Sequence, residues 1–240
     1  MTKKSTRSAL VAIRRYWFAV VATFVGLYAG MPWMAPVLMR VGWTAPAEAI
    51  YAFYSTQCHQ MAQRSYFLFG PAFMLSPADL AAAGVPFEAF ALRAFIGSPE
   101  LGWKVAWSDR MASLYLGLFL SMLAIKLLGN RLRPLPAFGL VIMILPLVLD
   151  GTTHLVSDLS GLGMGFRDTN AWLAVLTRGR LQAGFYSGDA WGSFNATMRL
   201  LTGALFGLAL AWFAVPRLQE ATRPATHKRP AQAGIAETSG

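Results

Sequence analysis

The sequence predicts an all-α, polytopic membrane protein with about four transmembrane helices and interfacial helices in two long outer connections. Hydrophobic residues make up 55% of the 240 and charged residues only 13%, about half the charge of a typical soluble domain. Three apolar runs, 110–128, 136–156 and 195–215, are close to the roughly 20 helical residues that cross a hydrocarbon core. Eight Trp and sixteen Phe suit aromatic belts at the two interfaces.

Residues 1–15 read as a basic cytoplasmic tail carrying Lys3, Lys4, Arg7, Arg14 and Arg15. The first span, 16–39, is interrupted by Pro32 and Pro36. It predicts a helix from Tyr16 to about Gly30, then a kink or a shallow continuation. A signal peptide is the competing reading of this run, but no small-x-small cleavage pattern follows it.

The connection after it contains residues 46–67, read as a helix lying in the interface because Gln57, His59, Gln60, Gln63 and Arg64 make it too polar to span. Ser76-Pro77 marks a helix start, and Phe87 to Ile96 a short apolar helix. The spans 110–128 and 136–156 are joined by a short loop with Lys126, Arg131 and Arg133. The second outer connection carries a candidate surface helix from Ala171 to Leu181 before the last span, 195–215. Residues 216–240, polar and rich in Pro and Ala, read as a disordered cytoplasmic tail.

Charge placement predicts orientation. The two tails and the short loop hold twelve basic residues against Glu220 and Glu237, whereas nine basic and nine acidic residues share the rest of the chain. Both termini are therefore expected in the cytoplasm of a cell-membrane protein. The formal charge of +10 lies in tails and one loop and forms no groove or nucleic-acid motif, so no nucleic-acid partner is expected. A single cysteine excludes an internal disulfide and a multi-cysteine zinc site.

With this topology four polar stretches fall on the outer side: Cys58-His59-Gln60 with Arg64-Ser65, Ser108-Asp109-Arg110, Asp150-Gly151 with His154, and Asn195 with Arg199. Asp150, Thr153, His154 and Ser157 share one helical face. Asp150 lies roughly 9 Å inside the end of its run, so an ionised carboxylate there needs a partner, with Arg199 and Arg110 the candidates. A register-fixing ion pair is the plainer alternative to a functional site. Asn195, Arg199, Gly203 and Gly207 recur every four residues, a polar site above a close-packing surface. Ser113, Gly117 and Ser121 repeat that logic on the second span.

A metal site would combine Cys58 or His59 with Asp150 and His154. A buried filler cysteine and a hydrogen-bonded structural histidine are the plainer alternatives. Asn195-Ala196-Thr197 and the glycines of 161–165 carry no further assignment.

These residues together resemble a family of small bacterial and archaeal integral membrane proteins of unknown function. Its signature is Cys-His-Gln-x-x-x-Arg-Ser, an Arg-containing helix start, Asp-Gly, and Asn-x-x-x-Arg-x-x-Thr-Gly. Here these are Cys58 to Ser65, Arg110, Asp150-Gly151 and Asn195 to Gly203, within residues 45–215. Ser108-Asp109-Arg110-Met111 stands where the family commonly has Cys-x-Arg-Cys, and His154 stands near where a glutamine is frequent. A thiol-based activity is therefore not implied, and neither is any cofactor.

Two functions follow as expectations. One is an accessory membrane protein that binds other membrane subunits or holds an anionic lipid headgroup with Arg64, Arg110, Arg199, Asn195 and Gln60. The other is an enzyme acting on a lipid-linked or amphipathic substrate, with Asp150 as proton acceptor or metal ligand and His154 and His59 assisting. A channel or transporter is disfavoured, because the inner halves of the spans are almost wholly apolar.

Overall fold

The computed structural model describes residues 3–129 and 132–222, with side chains from Arg15 onward. The side chains of Lys3, Lys4, Arg7 and Arg14, the loop residue Arg131, and the tail 223–240 with Arg223, Lys228 and Arg229 lie outside the described residues. The protein is helical with one small sheet. Among the described residues, four helices are long and apolar enough to cross a membrane.

The spanning helices are α1 (Lys3–Arg40), α5 (Asp109–Leu128), α6 (Ala137–Asp158) and α10 (Phe194–Thr222). Between α1 and α5 lie α2 (Thr44–Ser55), β1 (Ser65–Leu68), α3 (Pro77–Ala82), α4 (Ala89–Ala94), β2 (Gly97–Ser98) and β3 (Gly102–Ser108). Between α6 and α10 lie three short helices, α7 (Phe166–Thr169), α8 (Ala171–Leu176) and α9 (Ala183–Tyr186). The intervening elements form a layer over the ends of the four spans.

α10 packs most extensively on α5, then on α6, while α1 rests on α5 and on β3. The α5–α10 contact depends on glycine. A Cβ on Gly207 would come within 2.4 Å of Leu118 N, and one on Gly203 within 2.1 Å of Ser113 Oγ. The small-residue stripes therefore let two backbones touch. α6 is the outlying helix. Phe138, Val141, Ile142, Leu145, Val148 and Leu149 are all exposed on it, a surface that suits lipid rather than water.

Several expectations are corrected here. The continuation of α1 past Gly30 is helical, through Pro32 and Pro36 to Arg40. Ala35 and Met39 lie in the same buried cluster as Ala47 of α2 and Val105 and Trp107 of β3, so packing holds the helix past the two missing N–H donors. Residues 46–67 are not one helix. α2 ends at Ser55, Gln60 adopts φ +50°, and a 3₁₀ turn at Ala62–Arg64 leads into β1.

The sheet, of order β1-β3-β2 and antiparallel throughout, has no counterpart in the sequence reading. The helix begun at Ser76 has a complete capping box with Asp79. The short apolar helix is trimmed to Ala89–Ala94 and the surface helix to Ala171–Leu176. α10 continues through Pro216 to Thr222, past the expected end at residue 215.

Candidate functional site

β3 runs directly into α5, with Ser108 at the junction. Ser65 pairs with Ser108 in the β1–β3 ladder, and this antiparallel register brings Arg64 beside Asp109. The sheet thus carries Arg64, Asp109 and Arg110 to the ends of α6 and α10. Asp150 and His154 come from α6, Arg199 from α10, Arg167 from α7 and Asp189 from the loop after α9.

These groups form two alternating chains of charge. In the first, Arg64 holds both oxygens of Asp158 at 2.8 Å and reaches Asp189 at 3.0 Å. Arg199 then joins Asp189 at 2.6 Å to Asp109 at 2.7 Å. This chain contains three aspartates and two arginines, and it begins and ends on a carboxylate. In the second, Asp150 Oδ2 accepts from Arg110 Nη2 at 2.6 Å, and Asp150 Oδ1 accepts from Arg167 Nη2 at 2.6 Å. That chain is two guanidiniums on one carboxylate. With these groups ionised, it carries one positive charge with no carboxylate of its own within salt-bridge distance among the described residues.

His154 adds no charge to the second chain. Its Nε2 lies 3.0 Å from Arg167 Nη2, and arginine can only donate. The imidazole therefore accepts at Nε2 and carries its hydrogen on Nδ1, which is buried without a hydrogen-bond partner. Nε of Arg110 and Nε of Arg167 are likewise buried and unpartnered. Arg64 and Arg199, in contrast, donate from Nε and both Nη atoms.

Outside the spans, protonation follows this wiring. Burial would raise the Asp189 carboxyl, but the guanidiniums of Arg199 and Arg64 hold it well below the usual carboxylate range. Burial would lower Arg64, yet Asp158 and Asp189 raise it. At Arg167 burial wins, and Asp150 only partly offsets the downward push.

Arg167 is held from several directions. Its N–H donates to Ser157 Oγ at 2.9 Å, and its carbonyl accepts from Asn170 and Asn195, both at 2.7 Å. A Cβ on Gly165 would sit 2.1 Å from Ser157 Oγ, so glycine is what lets α7 approach α6. Asn195, a candidate binding residue, donates to the backbone carbonyls of Arg167 and Gly188. Gln60 likewise gives its amide to the carbonyls of Tyr51 and Ala106.

Two of the concavities beside this assembly are lined by its arginines. A cavity of about 310 Å³ is lined by Cys58, His59, Gln60, Arg64, Asp109, Arg110, His154, Leu155, Asp158 and Arg199. On another face of α6, a groove of about 640 Å³ runs between α6 and α10, with Asp150 and Arg167 in its lining.

Arg110 is a partner of Asp150, as the helical spacing anticipated, but Arg199 is not: it pairs with Asp109 and Asp189. Of the four candidate metal ligands, Cys58, His59 and His154 line the cavity and Asp150 lines the groove. Among the described residues no three His, Cys, Asp or Glu side chains are placed to hold a metal ion. Cys58 Sγ accepts from the backbone N–H of Gln60 and Ser108 at 3.5 and 3.4 Å. His59 is exposed at the cavity lining. Asp158, Arg167 and Asp189 were not singled out by sequence. Asp158 was within reach of the same reasoning, lying four residues beyond His154 on α6. Arg167 sits in the one-turn helix α7 and Asp189 in a loop, neither long enough to show a period.

Comparison with known proteins agrees with this architecture. The family model described as "Predicted membrane protein (DUF2085)" matches residues 100–213, which include β3, α5, α6 and most of α10. An uncharacterized protein of the archaeon Methanocaldococcus jannaschii is 26% identical over 152 residues, covering 60% of this chain and 76% of the relative. No solved structure matches the chain. The protein is a multi-pass membrane protein, and a lipid bilayer is its environment.

Proposed function

We propose that this protein is a non-catalytic membrane component that binds the anionic group of an amphiphile where the sheet layer meets the spans. The supporting observation is the three-membered chain Arg110–Asp150–Arg167, in which one carboxylate is shared by two guanidiniums with Nε donors unpartnered. Ionisable groups at membrane depth are expensive and need a partner. A phosphate or carboxylate oxygen would supply both the missing charge and the missing acceptor. The five-membered chain suits a brace: it ties the turn before β1, the loop after α9 and the ends of α5, α6 and α10 together.

The catalytic alternative asks Asp150 to accept a proton or bind a metal. Both of its oxygens already accept short hydrogen bonds from guanidiniums, so neither is left without a donor to face a substrate, and for that reason we prefer the binding role.

The test is a binding titration of detergent-solubilised protein by native mass spectrometry, with lysophosphatidic acid against lysophosphatidylcholine. A charge-assisted hydrogen bond is worth about 1.5–3 kcal/mol, so the anionic probe should bind about tenfold more tightly or better. Arg110→Gln and Arg167→Gln should each bring the two probes toward parity. A wild-type protein that treats them alike would refute the proposal.

A further inference from the structure

The two concavities offer different surroundings to an anion. The cavity sets Arg64, Arg110 and Arg199 beside Asp109 and Asp158, so an anion there meets carboxylates as well as guanidiniums, with Asp158 23% exposed and held by Arg64. The groove has no acid in its lining besides Asp150, which is already neutralised by Arg110 and Arg167.

Its other walls include Pro146 and Leu149 of α6, Trp172 of α8, and Met198 and Thr202 of α10. Pro146 and Leu149 belong to a spanning helix, and Leu149 is 56% exposed, so hydrocarbon is what reaches them in a bilayer. Trp172 belongs to α8 of the covering layer and is 43% exposed, and indole rings favour the headgroup level of a bilayer. Arg167 is only 6% exposed and keeps Nε without a partner. Its backbone is fixed by Ser157, Asn170 and Asn195, so little ordering is needed to bind.

We propose that this groove is a lipid site: one acyl chain of an anionic phospholipid from the leaflet beneath the sheet layer lies between α6 and α10, with its phosphate on Arg167. The inference rests on the anion-binding role above and identifies the ligand as a bilayer lipid that enters sideways, rather than a soluble anion that enters through the cavity.

Two substitutions separate the routes. Leu149→Trp fills the groove, and Leu155→Trp narrows the cavity. Both positions are exposed in the isolated chain, at 56% and 65%, so neither disturbs the core. Phosphatidic acid, phosphatidylcholine and glycerol 3-phosphate are titrated against wild type and both variants by native mass spectrometry in detergent.

Phosphatidic acid should bind wild type more tightly than either other probe. Leu149→Trp should weaken it by about tenfold or more, since loss of contact with even two methylenes is worth that much. Leu155→Trp should leave it nearly unchanged. Loss confined to Leu155→Trp would move the ligand to the cavity and overturn the lipid groove while leaving the anion-binding role intact. Glycerol 3-phosphate binding as tightly as phosphatidic acid would also overturn the groove, because no chain would be needed. Phosphatidic acid binding no better than phosphatidylcholine would overturn both proposals.

Discussion

Burying a lysine away from carboxylates shifts it toward its neutral form, and Lys104 at the centre of β3 shows the consequence. The residue is fully buried, and its Nζ donates to the carbonyls of Gln60 at 2.8 Å and Arg93 at 2.7 Å. Burial pushes its pKa down to about 7, with Cys58 acting to raise it and the Arg93 charge to lower it further. In the unfolded chain the group titrates near its ordinary value of 10.5. Between those two values the unfolded state holds the proton and the folded state does not, so stability rises with pH at up to about 1.4 kcal/mol per unit. Below pH 7 both states are protonated and the penalty is constant. We expect the Tm of the detergent-solubilised protein to climb between pH 7 and 9.5. In Lys104→Met, which also strands two carbonyls and should be less stable throughout, that climb should flatten. An unchanged slope in the variant would assign the pH response to another group.

At the scale of elements, the α5–α10 crossing determines whether the site exists, because Asp109, Arg110 and Arg199 come from its two helices. Added methylenes in a packed interface typically cost about 1–3 kcal/mol, and here a Cβ at Gly207 would meet the backbone of Leu114 and Leu118, which cannot rotate away. Gly207→Ala should lower Tm by several degrees, whereas Gly30→Ala, with nothing within 4 Å of its Cβ, should leave it unchanged or slightly higher. A Tm for Gly207→Ala equal to wild type would mean that the helices are less tightly apposed than this geometry.

The glycine stripe was legible in the sequence because the spacing of four survives in any helix. The spans were legible because lipid-facing surfaces need long apolar runs. The sheet was not. Val105, Ala106 and Trp107 of β3 are all fully buried, so the strand lacks the polar–apolar alternation that reveals one. Its edge partner β1 was hidden inside a segment whose composition also suits a helix. The site was half legible for a related reason. Arg110 marks a helix start and Asp150 is a carboxylate inside an apolar run, whereas Arg167 is placed by donating to Ser157 and accepting from Asn170 and Asn195, and no local pattern encodes that convergence.

For the whole molecule, the balance of charge between its two ends argues for a direction in the membrane. At the ends of the spans away from the sheet layer, the described residues include Arg15, Lys126, Arg133 and Arg217 with Glu220 as the acid among them. The layer itself and the span ends beneath it balance nine basic residues, from Arg40 to Arg199, against nine acids, from Glu48 to Asp189. Lys and Arg in short loops and near span ends hold those segments in the cytoplasm, whereas long connections are translocated largely regardless of their charge. We therefore expect the sheet layer, and with it both concavities, to face away from the cytoplasm. Cys58 is the sole native thiol and is buried, so a Cys58→Ala background gives a clean test. In right-side-out membrane vesicles an impermeant maleimide should label Val175→Cys, which is 76% exposed on α8, and spare Leu127→Cys, which is 88% exposed at the far end of α5. Both should react after detergent is added. The reverse pattern would place the anion site on the cytoplasmic leaflet, and the lipid entering between α6 and α10 would then have to come from that side.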